Sequence, residues 1–187
     1  MANKESATSC VFKRRLLLLT IGSFLIFAFP CGAVTDQADL SVGMKTLPLL
    51  TTKIEGSATV GILFNPANTA SIEEAKGIKA ILDNGFETPG NLKLTGRLIP
   101  VNALSTIAGT KIAVLTSGLN ASYDAISAAA ISNNILTMST DVSCVRANKC
   151  ALGIVSKPHV EIYYSKAAAD AAKVGFGEAF TMLVKQI

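Results

Sequence analysis

From residue 59 onward the chain alternates between two hydrophobic patterns. Thr59–Phe64, Ile112–Leu115, Ile135–Met138, Ala151–Val155 and Val160–Tyr164 are short, nearly continuous apolar runs. Such runs are the signature of strands buried on both faces. Lys93–Val101 is only partly alternating and ends beside Pro100, which predicts a strand near a sheet edge. Between these runs, Ile72, Ala75, Ile78, Ile81 and Leu82 recur at helical spacing. Ser71 followed by Glu74 predicts a capping box at the start of that helix, and Asn84, Gly85 and Pro89–Asn91 predict its stop. A second helix is expected over Tyr123–Ser132, capped by Asn120 or Ser122. A third, alanine-rich helix is expected from Lys166 to about Val184, capped by Ser165. Residues 34–43 are polar with little periodicity and predict a frayed start. Met44–Ile54 predicts a short helix or docking segment, with Pro48 excluding a central strand.

Strands alternating with helices predict an α/β domain of three layers with a mostly parallel sheet. The order is flavodoxin-like or periplasmic-lobe-like. The last two strands, joined through Lys157 and Pro158, predict an antiparallel hairpin followed by the final helix.

The first 33 residues follow another pattern. Lys13, Arg14 and Arg15 precede the uncharged apolar run Leu16–Phe29, and Pro30, Cys31, Gly32 and Ala33 follow. A basic stretch, an apolar run and a small-residue site predict a signal peptide over 1–33, cleaved after Ala33, rather than an uncleaved anchor. The run is shorter than the roughly 17 residues a membrane-spanning helix needs. What remains, 34–187, predicts one periplasmic domain. Export also changes the charge. The full chain has 17 basic and 13 acidic residues; Lys4, Lys13, Arg14, Arg15 and Glu5 leave with the signal, so 13 basic and 12 acidic residues remain. A net charge of +1 gives no electrostatic basis for nucleic-acid binding.

Little in the sequence suggests catalysis. Of four cysteines, Cys10 and Cys31 belong to the signal, leaving Cys144 and Cys150. In an exported chain an even pair predicts a disulfide, either a structural staple or, with Arg146 and Lys149 nearby, a redox-sensitive bridge. The five-residue gap does not suit a zinc site, and no metal or other cofactor is expected. His159, the sole histidine, is expected to be exposed in a turn. There is no nucleophile elbow, zinc-protease motif or phosphate loop. Gly175–Phe180 begins like a dinucleotide fingerprint but lacks its last glycine and falls within the predicted final helix. The chain is therefore not expected to be an enzyme.

The strand ends are more informative. Open parallel sheets bind ligands beyond the carboxyl ends of their strands. Those ends are followed here by Asn65, Asn68 and Thr69, by Ser117 and Asn120, and by Ser139, Thr140 and Asp141. Asp141 is the one carboxylate in the set. All are candidates for a ligand or partner edge, and all are also residue types that turns and caps favour.

Ile135–Asp141, the two cysteines, Gly153, the segment from Val160 to Phe176 and the opening strand Thr59–Phe64 together resemble the YfiR-like family of small periplasmic proteins. The resemblance implies a periplasmic regulator that binds the sensor region of a membrane-bound diguanylate cyclase. The Cys144–Cys150 loop and exposed helix faces would then be contact surfaces. The alternative is a small-ligand module related to the lobes of ABC-type substrate-binding components. A single lobe of 154 residues would need a second copy, a homodimer, to complete a two-lobed site.

Overall fold

The computed structural model describes residues 35–187 except Glu87, Pro89 and Asn91. The predicted signal peptide, and the part of the helix-stop signal carried by Pro89 and Asn91, lie outside the described residues. Seven strands form one sheet: β1 (Ser57–Phe64), β2 (Lys93–Pro100), β3 (Ile112–Leu115), β4 (Leu136–Ser139), β5 (Leu152–Val155), β6 (Glu161–Tyr164) and β7 (Lys185–Gln186). Their order is β2-β1-β3-β4-β5-β6-β7. The first five are parallel, β5 and β6 form the expected antiparallel hairpin, and β7 runs parallel to β6. As Pro100 suggests, β2 lies at an edge.

The helices are α1 (Gln37–Met44), α2 (Thr69–Asp83), α3 (Tyr123–Asn133), α4 (Val142–Arg146), α5 (Lys166–Ala171) and α6 (Glu178–Thr181). The chain moves outward from β1 to β2 and in the opposite direction from β3 to β4. Right-handed crossovers therefore place α2 and α3 on opposite faces. Side chains of successive strand residues divide the core accordingly. Ile112 and Val114 face a cluster with Leu40, Met44, Ile78, Leu82 and Phe180. Ala113 and Leu115 face the other, with Ile107, Tyr123, Ile126 and Cys144. Among the described residues, no helix is long and apolar enough to cross a membrane.

Four local expectations are corrected. Residues from Gln37 to Met44 are helical rather than frayed: Asp36 caps α1, and Asp39 reciprocates to the Asp36 backbone. The Ser71–Glu74 capping box is absent, because the cap lies three residues earlier, at Asn68, whose side chain accepts from Ala70 and Ser71 N–H. Neither Asn120 nor Ser122 caps α3 through its side chain; a 3₁₀ turn over Asn120–Ser122 leads into it. The long final helix is broken. Ser165 caps α5 as expected, but Lys173 adopts a left-handed φ of 55° and the chain restarts as α6.

Candidate functional site

The loops after β1, β3 and β4 meet at the carboxyl end of the sheet, as three adjacent parallel strands require. After β1, the Asn65 side chain accepts from Ala67 N–H at 2.9 Å, and Asn68 caps α2. Thr69, its first residue, is exposed. After β3, Gly118 has φ 76°, and a Cβ there would come within 2.8 Å of Asn68 Nδ2. A glycine thus permits both the left-handed turn and the close approach of the two loops.

Beneath these loops lies a buried polar chain that the sequence reading missed. Ser71 Oγ accepts from Asn65 N–H at 2.9 Å and is 2.7 Å from Thr116 Oγ1, which donates to Leu63 O. Glu74, 5% exposed, holds three donors. Its Oε1 accepts from Thr35 N–H at 2.8 Å, and its Oε2 accepts from Ser117 N–H at 2.8 Å and Ser117 Oγ at 2.6 Å. Thr35 Oγ1 is also 3.1 Å from Thr140 Oγ1. One carboxylate therefore ties the segment before α1 to α2 and the β3 loop.

Around β4, Ser139 Oγ accepts from Asp141 N–H at 3.0 Å. Asp141 Oδ1 caps α4 through Ser143 N–H at 2.9 Å. Its Oδ2 accepts from Tyr123 OH at 2.6 Å and Asn120 Nδ2 at 3.3 Å. Burial, the largest single influence, raises the Asp141 pKa, but the bonds from Tyr123, Ser143 and Asn120 together outweigh it and hold the pKa below the ordinary value. Tyr123 is pushed up to about 12 by burial and by its bond to Asp141. Sequence-predicted Asn120 and Asp141 are thus brought together, as are Asn68 and the β3 loop. Asp141 is engaged in holding α3 to α4.

The segment from Thr35 to Met44 starts at the carboxyl edge, where Thr35 meets Thr140, and α1 packs from there onto the sheet face over Met138 and Ile154. Under it remains a void of about 10 Å³, lined by Thr35, Leu40, Met138 and Thr140 among others, room for about one water. Beside it opens a recess of about 190 Å³ lined by Asp36, Asp39, Thr140, Ile154, Ser156 and Lys157, with Val155. Lys157 Nζ is 2.5 Å from Asp36 Oδ2, and this bond lowers the Asp36 pKa and raises that of Lys157. The recess thus combines hydroxyls with charges of both signs. Away from the edge, Cys144 and Cys150 form a disulfide with Cα atoms 5.4 Å apart, and His159 is exposed as expected.

No family model and no curated protein matches the sequence. Solved structures share the fold. A conserved domain protein from Vibrio cholerae O1 biovar eltor superposes with TM-score 0.57 at 13% identity, over 80% of this chain and 60% of that one. An ABC domain in complex with L-Trp from Streptococcus pneumonia gives 0.57 at 12%, over 80% and 59%. A ligand-free, open substrate binding protein with adhesive properties from Clostridium difficile gives 0.51 at 11%, over 80% and 58%. The chain thus spans about three-fifths of the length of each. At these identities the likeness is one of fold, and it agrees with the periplasmic-lobe-like architecture expected from the strand pattern.

Proposed function

We propose that this chain is an exported, non-enzymatic binding lobe that takes a small zwitterionic ligand at the carboxyl edge of its sheet. The observation that carries this reading is the 190 Å³ recess, where Thr140 and Ser156 hydroxyls adjoin the Asp36–Lys157 pair. A ligand with its own ammonium and carboxylate can exchange partners with such a pair, its carboxylate meeting Lys157 and its ammonium meeting Asp36, with Asp39 beside it. The fold shared with an L-Trp complex and a substrate binding protein supports it. Against catalysis, Glu74 and Asp141, two carboxylates within hydrogen-bonding reach of the edge loops, are already engaged by backbone and side-chain donors. The YfiR-like reading, repression of a membrane cyclase, draws no support from these fold neighbours. Export is supported by the disulfide and by the sequence of residues 1–33.

The test is a thermal-shift screen of the purified protein against free amino acids, followed by calorimetry. A ligand at one hundred times its Kd adds about 2.7 kcal/mol, which for a domain of this size raises Tm by about 5 to 10 °C. Thr140→Val and Lys157→Met should each weaken that ligand about tenfold. No shift with any amino acid, together with co-purification of the chain with a membrane sensor protein, would replace this reading with the regulator.

A further inference from the structure

The opposite end of the sheet carries a second feature. A cavity of about 360 Å³ opens below the amino ends of β1, β3 and β4, within the size range of small-molecule pockets. Its apolar lining comes from Leu50, Ile54, Leu136 and Val174, of which Leu50 and Leu136 are buried. One wall is built by a clasp between distant segments. Thr51 N–H donates to Gly175 O at 3.0 Å, Gly177 N–H donates to Leu49 O at 3.0 Å, and Leu50 bridges Phe176.

Lys53, Lys111 and Lys173 also line this cavity. Ion pairing is the rule for lysines elsewhere: Lys76, Lys79, Lys149, Lys157, Lys166 and Lys185 each pair with a carboxylate. Five of the eleven described lysines are in no ion pair among the described residues, and three of those five meet here. Lys173 sits at the left-handed turn that breaks the final helix. Opposing them are Glu55, in the lining, and the carboxyl end of α3, which reaches the cavity at Asn134. A helix end is equivalent to about half a negative charge, so the three ammonium groups leave a positive excess of roughly one and a half charges.

We propose that this cavity binds a small organic anion with a hydrocarbon body, of the medium-chain carboxylate class. The lysines would hold the head and the Leu50–Leu136 floor would take the chain. Neither feature alone specifies this class: an apolar floor without charge would accept a neutral alkane chain, and lysines without a floor would take inorganic anions. The site is separate from the carboxyl-edge recess and does not depend on it.

The test is calorimetry on the protein purified after expression of the full chain, with octanoate as probe and 1-octanol, octylammonium and sulfate as controls. Octanoate should bind at least tenfold more tightly than each control, and its affinity should fall as salt rises. Lys53→Gln combined with Lys111→Gln should weaken octanoate at least tenfold without moving Tm, since both side chains are exposed. Lys173→Asn, which keeps a residue tolerant of the left-handed turn, provides an independent variant with the same expected loss. Absence of octanoate binding, equal binding of 1-octanol or octylammonium, or unchanged affinity in both variants would each overturn the proposal.

Discussion

Glu74 shows how much structure one carboxylate can hold. Replacing it with alanine strands three donors, two of them backbone N–H groups, and each buried unpaired donor costs about 1 to 3 kcal/mol. Allowing for partial rescue by water, Glu74→Ala should lose about 3 kcal/mol, seen as a fall in Tm of about 6 to 12 °C. The neighbouring Glu73 pairs with Lys76 at the exposed surface, so Glu73→Ala should stay within about 0.5 kcal/mol of the parent. Equal losses for both variants would show that Glu74 is not the tie described. A second residue-level test concerns Asp141. Its folded pKa is depressed, so its contribution is present above the unfolded value near 3.8 and is lost as pH falls through the folded one. Tyr123→Phe removes a hydrogen bond to this carboxylate and should cost about 2 kcal/mol at neutral pH. In urea titrations that difference should shrink below about pH 4; a pH-independent difference would point to packing instead. The Ser71–Glu74 spacing fits a capping box, and that fit obscured both residues. Placed on the helical stripe of Ala75, Ile78 and Leu82, they are polar groups where the core expects apolar ones. That mismatch is the signal that could have revealed the buried network.

At the scale of elements, the strands were easiest to read because the sheet buries both faces of its central members. Ile112–Leu115 runs from end to end as predicted. The helices were read less well, for two reasons. Helix α1 offers only a short apolar stripe, Leu40 and Met44 one turn apart, and its start is marked only by Asp36 and Asp39, an aspartate version of the capping box. The break at Lys173 follows tertiary demand: Tyr164, Phe176 and Phe180 form an aromatic cluster, with the Phe176 and Phe180 rings stacked 4.1 Å apart. A continuous alanine-rich helix could not fold Phe176 back onto this group. Helix α4 is only five residues long, and the Cys144–Cys150 disulfide ties it to the start of β5. For a loop this short the chain-entropy relation gives about 2 kcal/mol of stabilisation. Reduction, or the Cys144→Ala and Cys150→Ala double variant, should therefore lower Tm by about 4 to 8 °C. A protein whose melting is insensitive to dithiothreitol would show that the tie is dispensable.

At the scale of the whole molecule, the mostly parallel sheet and the placement of the edge loops followed from the strand–helix alternation, whereas the strand order and the occupant of that edge did not. Thr35 and α1 reach it only because a polar segment far from β4 in sequence folds back across the sheet, and no local pattern encodes such a contact. The chain also spans about three-fifths of the length of its fold neighbours. On the binding-lobe reading proposed above, one lobe would supply one wall of a recess, and the recess here is open beside Thr140 and Lys157. If a second copy closes it, ligand binding and self-association are linked, and each must strengthen the other by the same factor. Analytical ultracentrifugation at two protein concentrations, with and without the amino acid that raises Tm, reads this directly. The expected outcome is a ligand-dependent shift from monomer to dimer that is lost in Thr140→Val. A chain that gains the full thermal shift while remaining a monomer at both concentrations would instead mean that the recess between α1 and β5 is complete within one copy.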